Sequence, residues 1–180
     1  IAARDGGVWA ATDSGLVRYD GQHIKTYTTA DGLPTNNISQ LKEDSQGQLW
    51  LDTGIGYNSS AQGLVRFDGQ RFTHYTTEDG LVGDAINHIM EDSHGNIWAS
   101  SWKGGVTRYN GHRVTNFTQN DGLSSQLVYS VLQDQRGRFW FTTDRGVDYY
   151  EDGQFHHIDN VKGLTGITIR DLEEDQQGQI

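Results

Sequence analysis

A beat of just over forty residues runs the length of this sequence. Trp stands at positions 9, 50, 98 and 140, each shortly after a glycine, at intervals of 41, 48 and 42 residues. A second marker keeps the same time: Asp31-Gly32-Leu33, Asp79-Gly80-Leu81, Asp121-Gly122-Leu123 and the weaker Lys162-Gly163-Leu164. Two markers in phase define a structural repeat, and a unit of this length cannot bury its apolar face alone, so neighbouring units must stack.

The second unit reads as four short strands. The first runs from Ile38 to Glu43 and ends in the turn Asp44-Ser45-Gln46-Gly47; the second is Leu49 to Asp52. The third is Gly63 to Phe67, followed by an Asp68-Gly69 hairpin turn, and the fourth is Arg71 to Thr76. Leu16 to Gly21 and Val106 to Gly111 repeat the third strand with its turn. Four antiparallel strands per unit predict an all-β chain, a β-propeller of four-stranded antiparallel blades with about four blades over residues 1–180, anchored at Trp9, Trp50, Trp98 and Trp140. In the fourth strand the apolar residues fall three apart, as at Phe72 and Tyr75, where a flat strand places them two apart. A bulge or strong twist there is the expected reason. The ends look complementary. Only Ile1-Ala2-Ala3 stands where the first unit needs a strand, while residues 167–180 add one, expected to complete the blade of Trp9 or to continue into a next one.

The run Asn37-Ile38 through Glu43-Asp44, then Gly47-Gln48-Leu49-Trp50 and Gly63-Leu64-Val65-Arg66-Phe67-Asp68-Gly69, resembles the two-component regulator propeller repeat, and the likeness covers essentially the whole chain. The resemblance implies the extracytoplasmic sensor half of a bacterial hybrid histidine kinase. It places the segment on the periplasmic or extracellular side of the inner membrane, responding to a carbohydrate and joined by further repeats.

Composition narrows the function classes. A net charge of −10 opposes nucleic acid and anionic membrane as partners. No apolar run is long enough to span a bilayer, so direct membrane insertion of this segment is not expected. With no Cys, disulfides and thiolate metal sites are excluded. The seven His residues show no ligand spacing, and the adjacent His156 and His157 point to opposite sides of a strand. The acidic turns at Asp44, Asp92, Asp134 and Asp175 lack the successive oxygen ligands of a calcium loop and read as hairpin caps. No nucleophile elbow, phosphate loop or dinucleotide fingerprint occurs, so neither a catalytic residue nor a cofactor nor a metal is expected.

In a four-stranded meander the loop between the second and third strands shares a face with the Asp-Gly-Leu linkers. That face carries the irregular sequence, above all residues 54–62. Loops that break a repeat are free of its packing rule. Tyr57, Asn58 and Trp102 are therefore the expected binding residues, with Asn36, Asp84, Lys103, Asp144 and Arg145 as polar neighbours. Aromatic faces beside amides and carboxylates suit an oligosaccharide, or another small ligand. The expected function is non-catalytic ligand sensing. The alternatives are a propeller lyase or glycosidase, or a structural module that oligomerises through blade edges with a second copy of the chain.

Overall fold

A computed structural model describes residues 1–53, 62–158 and 168–180. Its fifteen strands form four antiparallel sheets, each a blade of consecutive strands. Blade 1 has β1 (Val8–Thr12), β2 (Gly15–Tyr19) and β3 (Ile24–Tyr27). Blade 2 has β4 (Ile38–Glu43), β5 (Leu49–Thr53), β6 (Leu64–Phe67) and β7 (Phe72–Tyr75). Blade 3 has β8 (Ile86–Glu91), β9 (Ile97–Ser101), β10 (Val106–Tyr109) and β11 (Val114–Phe117). Blade 4 has β12 (Val128–Gln133), β13 (Phe139–Thr143), β14 (Gly146–Glu151) and β15 (Gln154–Ile158). The chain is all-β, a partial propeller.

Period-two alternation gives each blade two faces, and each middle blade packs one face against the blade before it and the other against the blade after it. Leu49, Phe67 and Phe72 join Trp9, Leu16 and Tyr27 between blades 1 and 2. Trp50, Leu64 and Tyr75, from the other face of blade 2, join Ile97 and Tyr109 of blade 3. Trp98, Val106 and Phe117 meet Phe139, Phe141 and Phe155 of blade 4 in the same way. This arrangement corrects the expectation for the outer strand. β7 is in regular register with β6, Phe67 opposite Phe72 and Leu64 opposite Tyr75, with no bulge. An odd spacing of three puts Phe72 and Tyr75 on opposite faces, and both faces are buried. The bulges lie instead in the innermost strands, between Ile38 and Gln40, Ile86 and His88, and Val128 and Ser130.

The two markers have separate mechanical roles. Asp44 accepts the Gln46 and Gln48 amides at 2.9 and 2.8 Å on one oxygen and the Trp50 indole N–H at 2.8 Å on the other. Asp92 with Trp98 and Asp134 with Trp140 repeat the clasp, also at 2.8 Å. The acidic turn and the Trp are thus one device. Thr28, Thr76 and Thr118 each open a single 3₁₀ turn in a capping box closed by Asp31, Asp79 and Asp121. Gly32, Gly80 and Gly122 follow at φ near +100°, where a side chain is strained, and turn the chain so that Leu33, Leu81 and Leu123 enter the interblade cores.

The C-terminal segment lies beside blade 4 and does not pair with blade 1. Residues 168–180 contain no strand, and blade 1 is a three-stranded sheet among the described residues, its β1 edge met by residues 1–3 through the Ala2–Val8 bridge and the Ile1–Trp9 backbone hydrogen bonds. The segment lies along blade 4. Glu174 accepts the Gln135 amide at 2.8 Å, as Glu91 accepts that of Ser45 at 2.7 Å between blades 2 and 3, and Thr142 Oγ1 donates to Arg170 O at 3.2 Å. It occupies, relative to blade 4, the place an innermost strand takes relative to the blade before it.

Candidate functional site

Each of β4, β8 and β12, the strands through which neighbouring blades meet near the axis of the fan, bulges by one residue, at Ser39, Asn87 and Tyr129. Hydrogen bonds tie these bulges from blade to blade. Gln40 Nε2 donates to Asn87 O at 2.5 Å, Asn87 Nδ2 to Val128 O at 3.0 Å, and the Val131 amide to His88 Nδ1 at 3.3 Å. A cavity of about 290 Å³ opens here, lined by Gln40, Asn87, His88, Tyr129, Ser130 and Arg170, with Asp171 and Trp102 completing it.

The cavity is polar with one aromatic corner. Trp102 and Tyr129 meet edge to face, centroids 5.9 Å apart at 85°. The Arg170 guanidinium lies 6.0 Å from the Tyr129 ring centre. Burial lowers the His88 pKa, which Asp171 partly opposes; with Nδ1 accepting from Val131 the ring is a neutral imidazole whose other nitrogen carries the proton. Behind Gln40, Asp52 is 6% exposed, and burial pushes its carboxyl up to about 6 against the stabilising Ser39 hydroxyl. The matching residue of blade 3, Ser100, has a buried hydroxyl with no partner among the described residues. The set offers hydrogen-bond donors, acceptors and an aromatic wall to a small polar ligand.

Of the residues singled out from the sequence, Trp102 enters this cavity, and Lys103 is exposed beside it, its amide donating to Ser101 Oγ at 3.1 Å. The loops and linkers do share a face: the Trp102 amide donates to Ala85 O at 2.9 Å, and that of Gly105 to Gln126 O at 2.9 Å. Asn36 and Asp84 hold linkers, accepting the Thr29 and Thr77 amides at 2.8 and 2.7 Å. Asp84 also lines an open hollow with His74 and Glu78. Asp144 and Arg145 form the exposed turn between β13 and β14. Tyr57 and Asn58 lie outside the described residues. Gln40, Asn87, His88, Tyr129, Ser130, Arg170 and Asp171 escaped the sequence reading. A signal was available, because the pairs Ser39-Gln40, Asn87-His88, Tyr129-Ser130 and Arg170-Asp171 differ from unit to unit between apolar positions that repeat.

Among the described residues no three His, Asp or Glu side chains gather as a metal site, and no helix is long and apolar enough to cross a membrane.

Residues 32–54, 80–103 and 122–145 match the family model described as two component regulator propeller, each segment running from a linker glycine through the two inner strands of a blade. No curated protein matches the chain. Among solved structures, the extracellular domain of the B. thetaiotaomicron protein BT3049, described as a hybrid two component system, is 20% identical at TM-score 0.77, over 99% of this chain and 25% of its own. That of BT4673 from the same organism is 22% identical at TM-score 0.78, over 99% and 27%. A virginiamycin B lyase from Staphylococcus aureus is 16% identical at TM-score 0.68, over 92% and 56%. The chain spans about a quarter of the length of the two extracellular domains.

Proposed function

We infer, from the two-component regulator propeller repeats that this chain carries, that it is part of the extracytoplasmic sensor of a bacterial signalling protein and binds a small carbohydrate without transforming it. The observation that carries the reading is the cavity at the axis. Its walls come from the positions that differ between otherwise repeating blades, and they combine the Trp102–Tyr129 corner with the amides of Gln40 and Asn87. An aromatic wall takes the C–H face of a sugar, and fixed amides and hydroxyls take its hydroxyl groups. The protonated nitrogen of His88 and the Arg170–Asp171 pair supply further donors and an acceptor. Support for the location comes from the matched propellers, which are extracellular domains of two-component systems.

Thermal denaturation against a panel of neutral and acidic oligosaccharides tests this. One glycan class should raise the melting temperature of the native chain, with the gain lost in Trp102→Ala and Tyr129→Ala variants of unchanged unliganded stability. Cleavage or elimination of the glycan on incubation would replace the sensor reading with an enzymatic one. Equal responses in the native chain and both variants would place the ligand elsewhere.

A further inference from the structure

The partner of Trp on the third strand of each blade gives an internal comparison. Arg18, Arg66 and Arg108 stand opposite Trp9, Trp50 and Trp98, and Tyr149 stands opposite Trp140. In blade 1, Arg18 lies 5.0 Å over the Trp9 ring and its guanidinium is closed by the Asp5 carboxylate and by Tyr19 O at 2.7 Å. In blade 3, Arg108 lies over Trp98 and Phe117, 5.6 Å from each centre. In blade 4, Arg138 comes from the turn to cover Trp140 and donates to Asp134 at 2.7 Å.

Arg66 is the exception. Its Nε is buried without an acceptor, and no hydrogen bond or ion pair holds it among the described residues. The nearby Asp68 feels its charge but makes no ion pair with it, one of its oxygens accepting the Gln70 and Arg71 amides at 2.9 and 2.7 Å. The turn beside Arg66 differs from that of blade 1. Gln46 stands at the turn position that Asp5 fills in blade 1, and Gln48 stands where Gly7 makes room for Arg18. A groove of about 300 Å³ lies between blades 2 and 3, lined by Asp44, Gln46, Gln48, Trp50 and Arg66 on one side and Tyr109 and His112 on the other; both Asp44 oxygens are taken by the Gln46, Gln48 and Trp50 donors. It lies at the turns, on the blade ends away from Trp102.

We propose that this groove is a carboxylate-binding site, in which Arg66 takes the carboxylate of a small ligand in the role Asp5 plays for Arg18. A buried guanidinium N–H without an acceptor is costly, and a carboxylate matches the donor fork in two parallel bonds. The Gln46, Gln48 and His112 side chains are placed to bond the rest of the ligand, and the Trp50–Tyr109 pair, centroids 5.7 Å apart, floors the groove. Recognition rests on the fork rather than on the overall field, since the chain as a whole is acidic.

Titration calorimetry and the Trp50 indole proton resonance test this with D-glucuronate, acetate and glucose as probes. Glucuronate should bind the native chain and shift the Trp50 signal, and binding should fall at least about tenfold in Arg66→Met. The double variant Gln46→Asp/Gln48→Gly rebuilds the blade 1 pair, so it should lose glucuronate while melting no lower than the native chain. If it fails to fold, Arg66→Met and the milder Arg66→Lys decide. Acetate binding as well as glucuronate upholds the proposal and places recognition in the carboxylate; binding of glucuronate alone upholds it with contacts to the ring. Glucose binding equal to glucuronate, unchanged affinity in the Arg66 variants, or no binding by any probe overturns it. The sensor reading is unaffected by these results, since the axial cavity lies on the opposite side.

Discussion

Replacing Asp52 with Asn should stabilise the protein at neutral pH and leave it unchanged in mild acid. Asp52 sits behind the axial cavity at 6% exposure, and burial raises its carboxyl from 3.8 to about 6, with the Ser39 hydroxyl as its hydrogen-bond donor. The folded state therefore holds this proton more tightly than the unfolded chain. The favourable contribution is fully present below about pH 3.8 and is lost as pH rises through about 6. At about 1.4 kcal/mol per tenfold change in proton affinity, the loss at pH 7.5 reaches an upper limit of about 3 kcal/mol. Asn keeps an oxygen for Ser39 and cannot ionise, so it escapes that loss. For a chain of this size the gain corresponds to roughly 6–12 °C in melting temperature. Urea denaturation followed by Trp fluorescence, at about pH 4 and pH 7.5, measures it. A difference between variant and native chain that is the same at both pH values would refute the reasoning, because a packing effect does not titrate.

The Asp-Trp clasps titrate in the opposite sense. Burial would raise the Asp92 and Asp134 carboxyls, but the indoles of Trp98 and Trp140 with neighbouring donors, Asn96 and Arg138, hold them below the usual range. Their contribution is present above the unfolded carboxylate pKa and is lost as pH falls through the folded one, so stability in urea should drop below about pH 4. Trp98→Phe removes a fully buried indole and leaves an Asp92 oxygen without its 2.8 Å donor, a cost of about 2–4 kcal/mol by chemical denaturation. Ser100→Ala removes a buried hydroxyl that has no partner, and the midpoint of unfolding should stay level or rise by about 1 kcal/mol in free energy.

The fold was legible because its determinants recur. Trp50 with Asp44 and Gly80 with Leu81 each appear in unit after unit, so a single periodic pattern exposed the blade, the turn and the linker together. What the sequence reading mistook was the outer strand. A spacing of three suggests a distorted strand only if one face is assumed to be solvated, and Phe72 and Tyr75 belong to a strand with a core on each side. Sequence gives the period of a strand but not the number of its buried faces. Residues 168–174 carry the apolar spacing of an innermost strand, and residues 168–180 meet blade 4 through single side-chain and carbonyl contacts.

The site was harder to read for the complementary reason. Irregular loops drew attention to Trp102, and the cavity does include it, but its other walls come from β4, β8 and β12, at or next to their bulges, and from Arg170 and Asp171. Within a repeat, a position that must pack is held to one residue type by its neighbours in every blade. A bulged residue at the axis faces other bulged residues and escapes that rule, so Ser39, Asn87, Tyr129 and Arg170 differ freely. Arg66 shows the same logic at the blade ends: its strand position repeats, but with Gln46 and Gln48 at the turn its buried Nε has no acceptor, where Arg18 has Asp5. In a protein built of copies, departures from the copy are where ligand chemistry can be placed without cost to the fold, and both sites argued here lie at such departures.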